Sequence, residues 1–224
     1  MVESTKIPNS TDLENIPKNV LYLGLEITEP IEIIQKIISE GLGSILESYP
    51  NIEDAKLLIN EIGNSNFEDS CIYNSPWRYP KENKKWHLTT LFRKGNNFNK
   101  SHPAYVQFEE GKHIYVNVKG IIYVPKKIIT SVVSTDTSVE NKFPHITTLL
   151  GTYSAKNSND VLNEIFFEGK CLQKEFKKLF EDELNDDHFV TVVEINLLNK
   201  KEKVYVVKFK NPIKLDTSMK YYFK

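Results

Sequence analysis

From Asn19 to Ile27 the chain reads NVLYLGLEI, a short apolar and β-branched run closed by Thr28, Glu29 and Pro30, which predicts a buried strand. A helix is expected directly after it. Thr28 can cap, Pro30 suits a first turn, and Ile31, Ile34, Ile37 and Ile38 recur at helical spacing as far as Gly41 or Gly43. A second helical pattern runs from Ile52 or Glu53 to Ile62, with Ala55, Leu58, Ile59 and Ile62 on one face and Gly63 at its end. Residues 63–84 show no period, and a stretch of that length predicts a functional or mobile loop carrying Trp77, Arg78 and Tyr79.

Strand patterns follow at Lys85–Arg93, His113–Val124, Lys127–Thr135 and Phe143–Leu150, with a short extended piece near Tyr105–Phe108 and a bend or bulge at Gly120. Val161–Leu184 reads as helix broken near Gly169. His188–Leu198 and Val204–Leu215 read as strands joined by a turn over Asn199–Lys203. The segregation of these elements predicts an α+β domain over residues 19–224, preceded by a flexible polar tail, 1–18, broken by Pro8 and Pro17.

Composition narrows the picture little. Hydrophobic residues at 40% and charged residues at 26% fit a folded globular chain. With 29 Lys plus Arg against 30 Asp plus Glu, no uniform field exists to hold a long duplex nucleic acid. Cys71 and Cys171 are too sparse for a disulfide framework or thiolate metal site. No apolar segment approaches a membrane span, and no secretory h-region opens the chain. A cytoplasmic or nuclear monomer without membrane attachment is expected.

The chemistry lies in a repeated phrase. His87-Leu88-Thr89-Thr90-Leu91 and His145-Ile146-Thr147-Thr148-Leu149 each sit within a predicted strand. Strict alternation would place His87, Thr89 and Leu91 on one face and Trp86, Leu88, Thr90 and Phe92 on the other, and likewise pair His145 with Thr147. An imidazole and a hydroxyl two residues apart lie roughly 6.5 to 7 Å apart along a strand, close enough to reach one phosphate. One histidine can serve as base and the other as acid, while the threonines hold non-bridging oxygens. A single H-x-T is more often an ordinary sheet residue. Recurrence in two strands, at positions where alternation predicts core, favours a shared site.

These motifs resemble the paired H-x-[S/T]-hydrophobic signature of the two-histidine (2H) phosphoesterases, which include LigT-like RNA cyclic phosphodiesterases. The opening strand and helix, Val20 through Ile38, and Pro144 before the second histidine are similar to that family too. Thr90 and Thr148 depart from it, standing where a bulkier apolar residue is usual, and the gap between the motifs is short. The resemblance implies a bilobal fold, two pseudo-symmetric and mainly antiparallel sheets facing a central cleft with helices outside. It implies metal-independent hydrolysis of 2′,3′-cyclic phosphate RNA ends, or of 2′-5′ or cyclic oligonucleotides, with His87 and His145 catalytic and Thr89 and Thr147 on the phosphate. The alternative is a non-catalytic module of the same fold that binds an RNA end or nucleotide.

Trp77, Arg78, Tyr79 and Tyr153 are further substrate-binding candidates, since aromatic faces and Arg grip single-stranded ends. Anchoring a loop is the competing role for the first three, and ordinary packing for Tyr153. His102, His113 and His188 lack the H-x-T context and are expected to be structural. No H-x-H, H-E-x-x-H, P-loop, G-x-G-x-x-G or G-x-S-x-G occurs, so no metal or cofactor is expected. Lys174, Lys177 and Lys178 suggest only an exposed helix face.

Overall fold

A computed structural model describes residues 16–17, 19–64, 77–80, 86–94, 97–167, 170, 172, 180 and 188–223. Residues 1–15, most of the 63–84 stretch, both cysteines, the lysines at 174, 177 and 178, and Asp186-Asp187 lie outside them.

Strand β1 (Val20–Ile27) leads into α1 (Ile31–Ser48) and α2 (Glu53–Asn64), as the apolar spacing predicts. α1 continues beyond Gly41 and Gly43, because Leu42 and Ile45 extend its buried face. Gly41 is a packing glycine, not a stop: a Cβ there would lie 2.1 Å from Ile121 Cδ1, so its absence lets helix and sheet approach. After β2 (His87–Phe92), the piece near Tyr105 forms a short helix, α3 (Pro103–Val106), instead of extended chain. Pro103 sits in its first turn, and His102 Nδ1 accepts the Ala104 amide at 3.1 Å, giving His102 a capping role.

The chain continues through β3 (His113–Val124), β4 (Ile128–Thr135), β5 (His145–Leu150), α4 (Asn157–Phe166), β6 (Phe189–Leu197) and β7 (Lys200–Phe223). β6 and β7 meet at a tight turn in which Leu198 and Asn199 both take positive φ, the geometry of a two-residue hairpin, so pairing resumes sooner than expected. β7 also runs past Leu215, and its last residues, Thr217 to Phe223, pair with β1.

Among the described residues the sheet has seven strands in the order β1-β2-β5-β4-β3-β7-β6, and the β1–β7 pairing closes six of them into a ring. Every pairing is antiparallel. The α+β class and the antiparallel sheet match expectation; two separate sheets do not form. The reason is strand length: β3 and β7, 12 and 24 residues long, carry hydrogen bonding continuously around the molecule. Their ladder breaks register once, where Val118 faces Ile213 and Gly120 faces Lys208. Gly120 is needed there, since a Cβ would lie 1.9 Å from the Val207 carbonyl oxygen.

Two hydrophobic clusters flank the ring. α1 and α2 cover one with Ile34, Ile38, Leu42, Ala55 and Leu58 against Leu23, Leu88, Val118 and Ile146. α4 covers the other with Val161, Leu162, Ile165 and Phe166 against Ile122, Ile128, Val132 and Val206. Among the described residues no helix is long and apolar enough to cross a membrane.

Candidate active site

The two motif strands, β2 and β5, meet at one register point, Leu88 opposite Ile146. These are the central residues of H-L-T and H-I-T, and both side chains are buried in the core. Antiparallel pairing at this point sets His87 beside Thr147 and Thr89 beside His145, all four on the face opposite the core. A cavity of about 510 Å³ opens there, lined by His87, Thr89, His145 and Thr147.

Each motif carries a β-bulge at its second threonine. Along β1, Gly24 faces Thr89 and Leu23 faces Leu91, so Thr90 has no partner; along β4, Thr130 faces Thr147 and Ile129 faces Leu149, so Thr148 has none. An extra residue in one strand reverses alternation beyond it. Phe92 and Leu150 therefore join the histidine face and line the cavity, while Leu91 and Leu149 turn into the core. This corrects the strict alternation that assigned Leu91 to the histidine face.

Threonine suits the second bulge for a visible reason. Thr148 Oγ1 accepts the Ser131 amide at 3.1 Å and lies 2.6 Å from Ser131 Oγ, supplying a partner where the ladder is interrupted. Thr90, also buried, receives the Glu140 amide on its carbonyl at 2.7 Å, which ties the segment before β5 to β2.

His145 is held in one orientation. Its Nδ1 lies 2.8 Å from the Phe143 carbonyl, so the neutral ring keeps its proton on Nδ1 and offers Nε2 as a lone pair. Pro144 between them restricts Phe143 to extended backbone, which helps aim that carbonyl. Burial lowers the His145 pKa below the ordinary histidine value; the Phe143 carbonyl partly opposes this, and the neighbouring His87 charge adds to it.

His87 sits in an aromatic corner. Its ring centroid lies 5.2 Å from that of Tyr22 and 4.5 Å from that of Tyr222, and the two tyrosines stack at 4.6 Å. Tyr22 Oη is 3.0 Å from His87 Nε2. Gly24 gives Tyr222 its place, because a Cβ there would come within 3.0 Å of the Tyr222 ring and 2.9 Å of the Leu88 carbonyl.

A hydroxyl chain stands behind Thr147. Thr130 Oγ1 donates to Ser158 Oγ at 2.9 Å, and Ser158 Oγ lies 2.9 Å from Thr147 Oγ1. Ser158 accepts from Thr130, so its own proton is available to Thr147, leaving the Thr147 proton to point into the cavity. Asn141, Lys156 and Asn159 supply further polar lining, and Pro80 and Trp86 complete the wall.

Trp77, Arg78, Tyr79 and Tyr153 are not in that lining. Trp77 and Tyr79 are buried in the core, Tyr79 edge-on to Trp86 at 5.1 Å. Arg78 pairs its backbone with Leu150 and donates from its guanidinium to the Gly151 carbonyl at 3.0 Å, anchoring the segment beside β5. Tyr153 packs in the second cluster and donates to Glu202 at 3.2 Å, next to the Lys127–Glu202 ion pair. Trp86, placed by alternation on the face opposite His87, packs in the core with Nε1 donating to the Thr148 carbonyl at 2.8 Å, and its surface also reaches the cavity. His113 pairs with Asp216 away from the lining. Among the described residues no group of three or more His, Cys, Asp or Glu is placed to hold a metal ion.

No protein-family model matches the chain, and no curated protein sequence matches it. Among solved structures, one titled a fungal RNA kinase aligns with a TM-score of 0.45 at 14% identity, over 94% of this chain and 47% of that one. The chain thus spans about half the length of that protein.

Proposed function

We propose that this chain is a metal-independent phosphodiesterase of the two-histidine type, acting on 2′,3′-cyclic phosphate RNA ends or on small 2′-5′ or cyclic nucleotide phosphodiesters. One observation carries the reading: two imidazoles and two hydroxyls from a repeated motif share one face over one cavity. On this reading the bulged motifs are counterparts from two related halves of the ring, their buried middle residues Leu88 and Ile146 meeting in one shared cluster. A cavity of about 510 Å³ suits a nucleotide and not a long duplex.

The environments of the two histidines divide the labour. His145, kept neutral by burial with Nε2 open, is the base that takes a proton from the attacking water. His87, packed beside the Tyr22 and Tyr222 rings, is the acid. As the water oxygen bonds to phosphorus, its proton passes to His145 and the bond from phosphorus to a ribose oxygen breaks. The proton of His87 goes to that departing oxygen. Thr89 and Thr147 donate to the non-bridging oxygens, where negative charge builds up in the transition state.

Incubating the protein with a panel of nucleoside 2′,3′-cyclic phosphates and 2′-5′-linked and cyclic dinucleotides in excess chelator, with product analysis by chromatography, tests the proposal. Turnover of at least one class to a phosphomonoester is expected. Binding without turnover across the panel would establish the non-catalytic alternative.

A further inference from the structure

Resting on that reading, we propose that Tyr22 and His87 act as one proton-carrying unit, the Tyr22 hydroxyl passing the proton between the His87 imidazole and the substrate oxygen. The observation is the 3.0 Å contact from Tyr22 Oη to His87 Nε2. In a histidine anchored on a strand, Nδ1 lies next to its own backbone and Nε2 is the outward nitrogen, the one able to meet a substrate. Here that nitrogen meets a tyrosine hydroxyl, and the same tyrosine lines the cavity.

The contact is built in by the fold. Tyr22 lies on β1 opposite Phe92, so the register that brings Phe92 into the cavity wall also brings Tyr22 there. Tyr22 is 5% exposed, and its ring is stacked on both His87 and Tyr222, which limits rotation of either partner away from the other. A phenol ordinarily holds its proton until about pH 10, and its oxygen can accept one hydrogen bond while donating another. A neutral imidazole nitrogen does one or the other.

The transfer balances simply. In the bond-breaking step the leaving ribose oxygen takes the Tyr22 hydroxyl proton as His87 Nε2–H passes its own proton to Tyr22 Oη. Tyr22 ends protonated as it began, His87 ends neutral, and the net proton has moved from imidazole to leaving group. In the reverse direction the same path returns a proton to His87.

Tyr22→Phe keeps the ring and removes only the hydroxyl, while Tyr22→Leu removes the stack too. With a substrate turned over by the wild type, Tyr22→Phe is expected to lower kcat by on the order of 10²-fold, within the range for loss of an acid–base group, with KM within about twofold. The solvent isotope effect in mixed light and heavy water should be more strongly curved for the wild type, with three protons in flight, than for Tyr22→Phe, with two. Independently of turnover, the ¹⁵Nε2 resonance of His87 in the free protein should shift in Tyr22→Phe. A Tyr22→Phe enzyme with wild-type kcat and an equally curved isotope plot would overturn the relay while leaving the phosphodiesterase reading intact. An unchanged His87 resonance would overturn the contact itself. A wild type inactive on the whole panel would overturn the enzymatic reading and this inference with it.

Discussion

Leu88 and Ile146 face each other across β2 and β5, and this register point determines how the two histidines meet. Slipping the pairing by one residue would turn every motif side chain to the other face. Because both middle residues are buried, the register is fixed by the core and the polar quartet is carried to the cavity as a consequence.

Replacing either histidine with alanine should lower kcat by roughly 10²- to 10⁴-fold while ligand still binds. Single-turnover rates combined with calorimetric binding of a nucleoside 2′-phosphate check this. The double variant should be little worse than the poorer single one, since the two groups act in one step.

Ser158 never touches the phosphate in this account, yet it orients the proton of Thr147. Ser158→Ala should therefore reduce kcat by about tenfold or less, whereas Thr147→Val, which removes the donor, should cost on the order of 10²-fold, as loss of one transition-state donor typically does. Comparing the two variants by kcat at saturating substrate separates donor from orienter.

Thr148→Val keeps the shape of the second bulge and removes the hydroxyl that accepts the Ser131 amide. Leaving that buried donor unsatisfied should destabilise the fold by about 1 to 3 kcal/mol. A lowered denaturant midpoint with an unchanged slope is the expected signature.

Burial lowers the His145 pKa, so the folded protein disfavours a proton that the unfolded chain accepts near pH 6.5. The unfolded state then binds more protons, and stability should fall as pH drops below about 6.5, by at most about 1.4 kcal/mol per pH unit from this group. Chemical unfolding at several pH values, with His145→Gln showing a shallower decline, tests the sign. The same shift should place the acidic limb of kcat/KM below the ordinary histidine value.

The repeated phrase made His87, Thr89, His145 and Thr147 legible from the chain itself, because H-x-T at strand spacing carries its own geometry. The bulges were not legible. An inserted residue leaves no mark in a period-two pattern until the partner strand is known, which is why Phe92 and Leu91 exchanged faces. The adjacent threonines were the available clue, since a second polar residue where an apolar one is usual can close a broken ladder. Tyr22 reaches the site through the β1–β2 pairing, Tyr222 through ring closure and Ser158 through α4 packing, relations between distant segments that no local pattern encodes. Closure itself was hidden because the polar run Asp216-Thr217-Ser218 breaks the apolar pattern after Leu215, although the strand continues to Phe223 and its last residues pair with β1.

The claim that both imidazoles serve one phosphate is tested most directly by histidine NMR. The chain has 5 histidines, and His102, His113 and His188 serve as internal references. Titrating a nucleoside 2′-phosphate into labelled protein should move the His87 and His145 ring resonances along one shared isotherm while the other three stay still. Movement of only one of the pair, or of both with different affinities, would contradict the account.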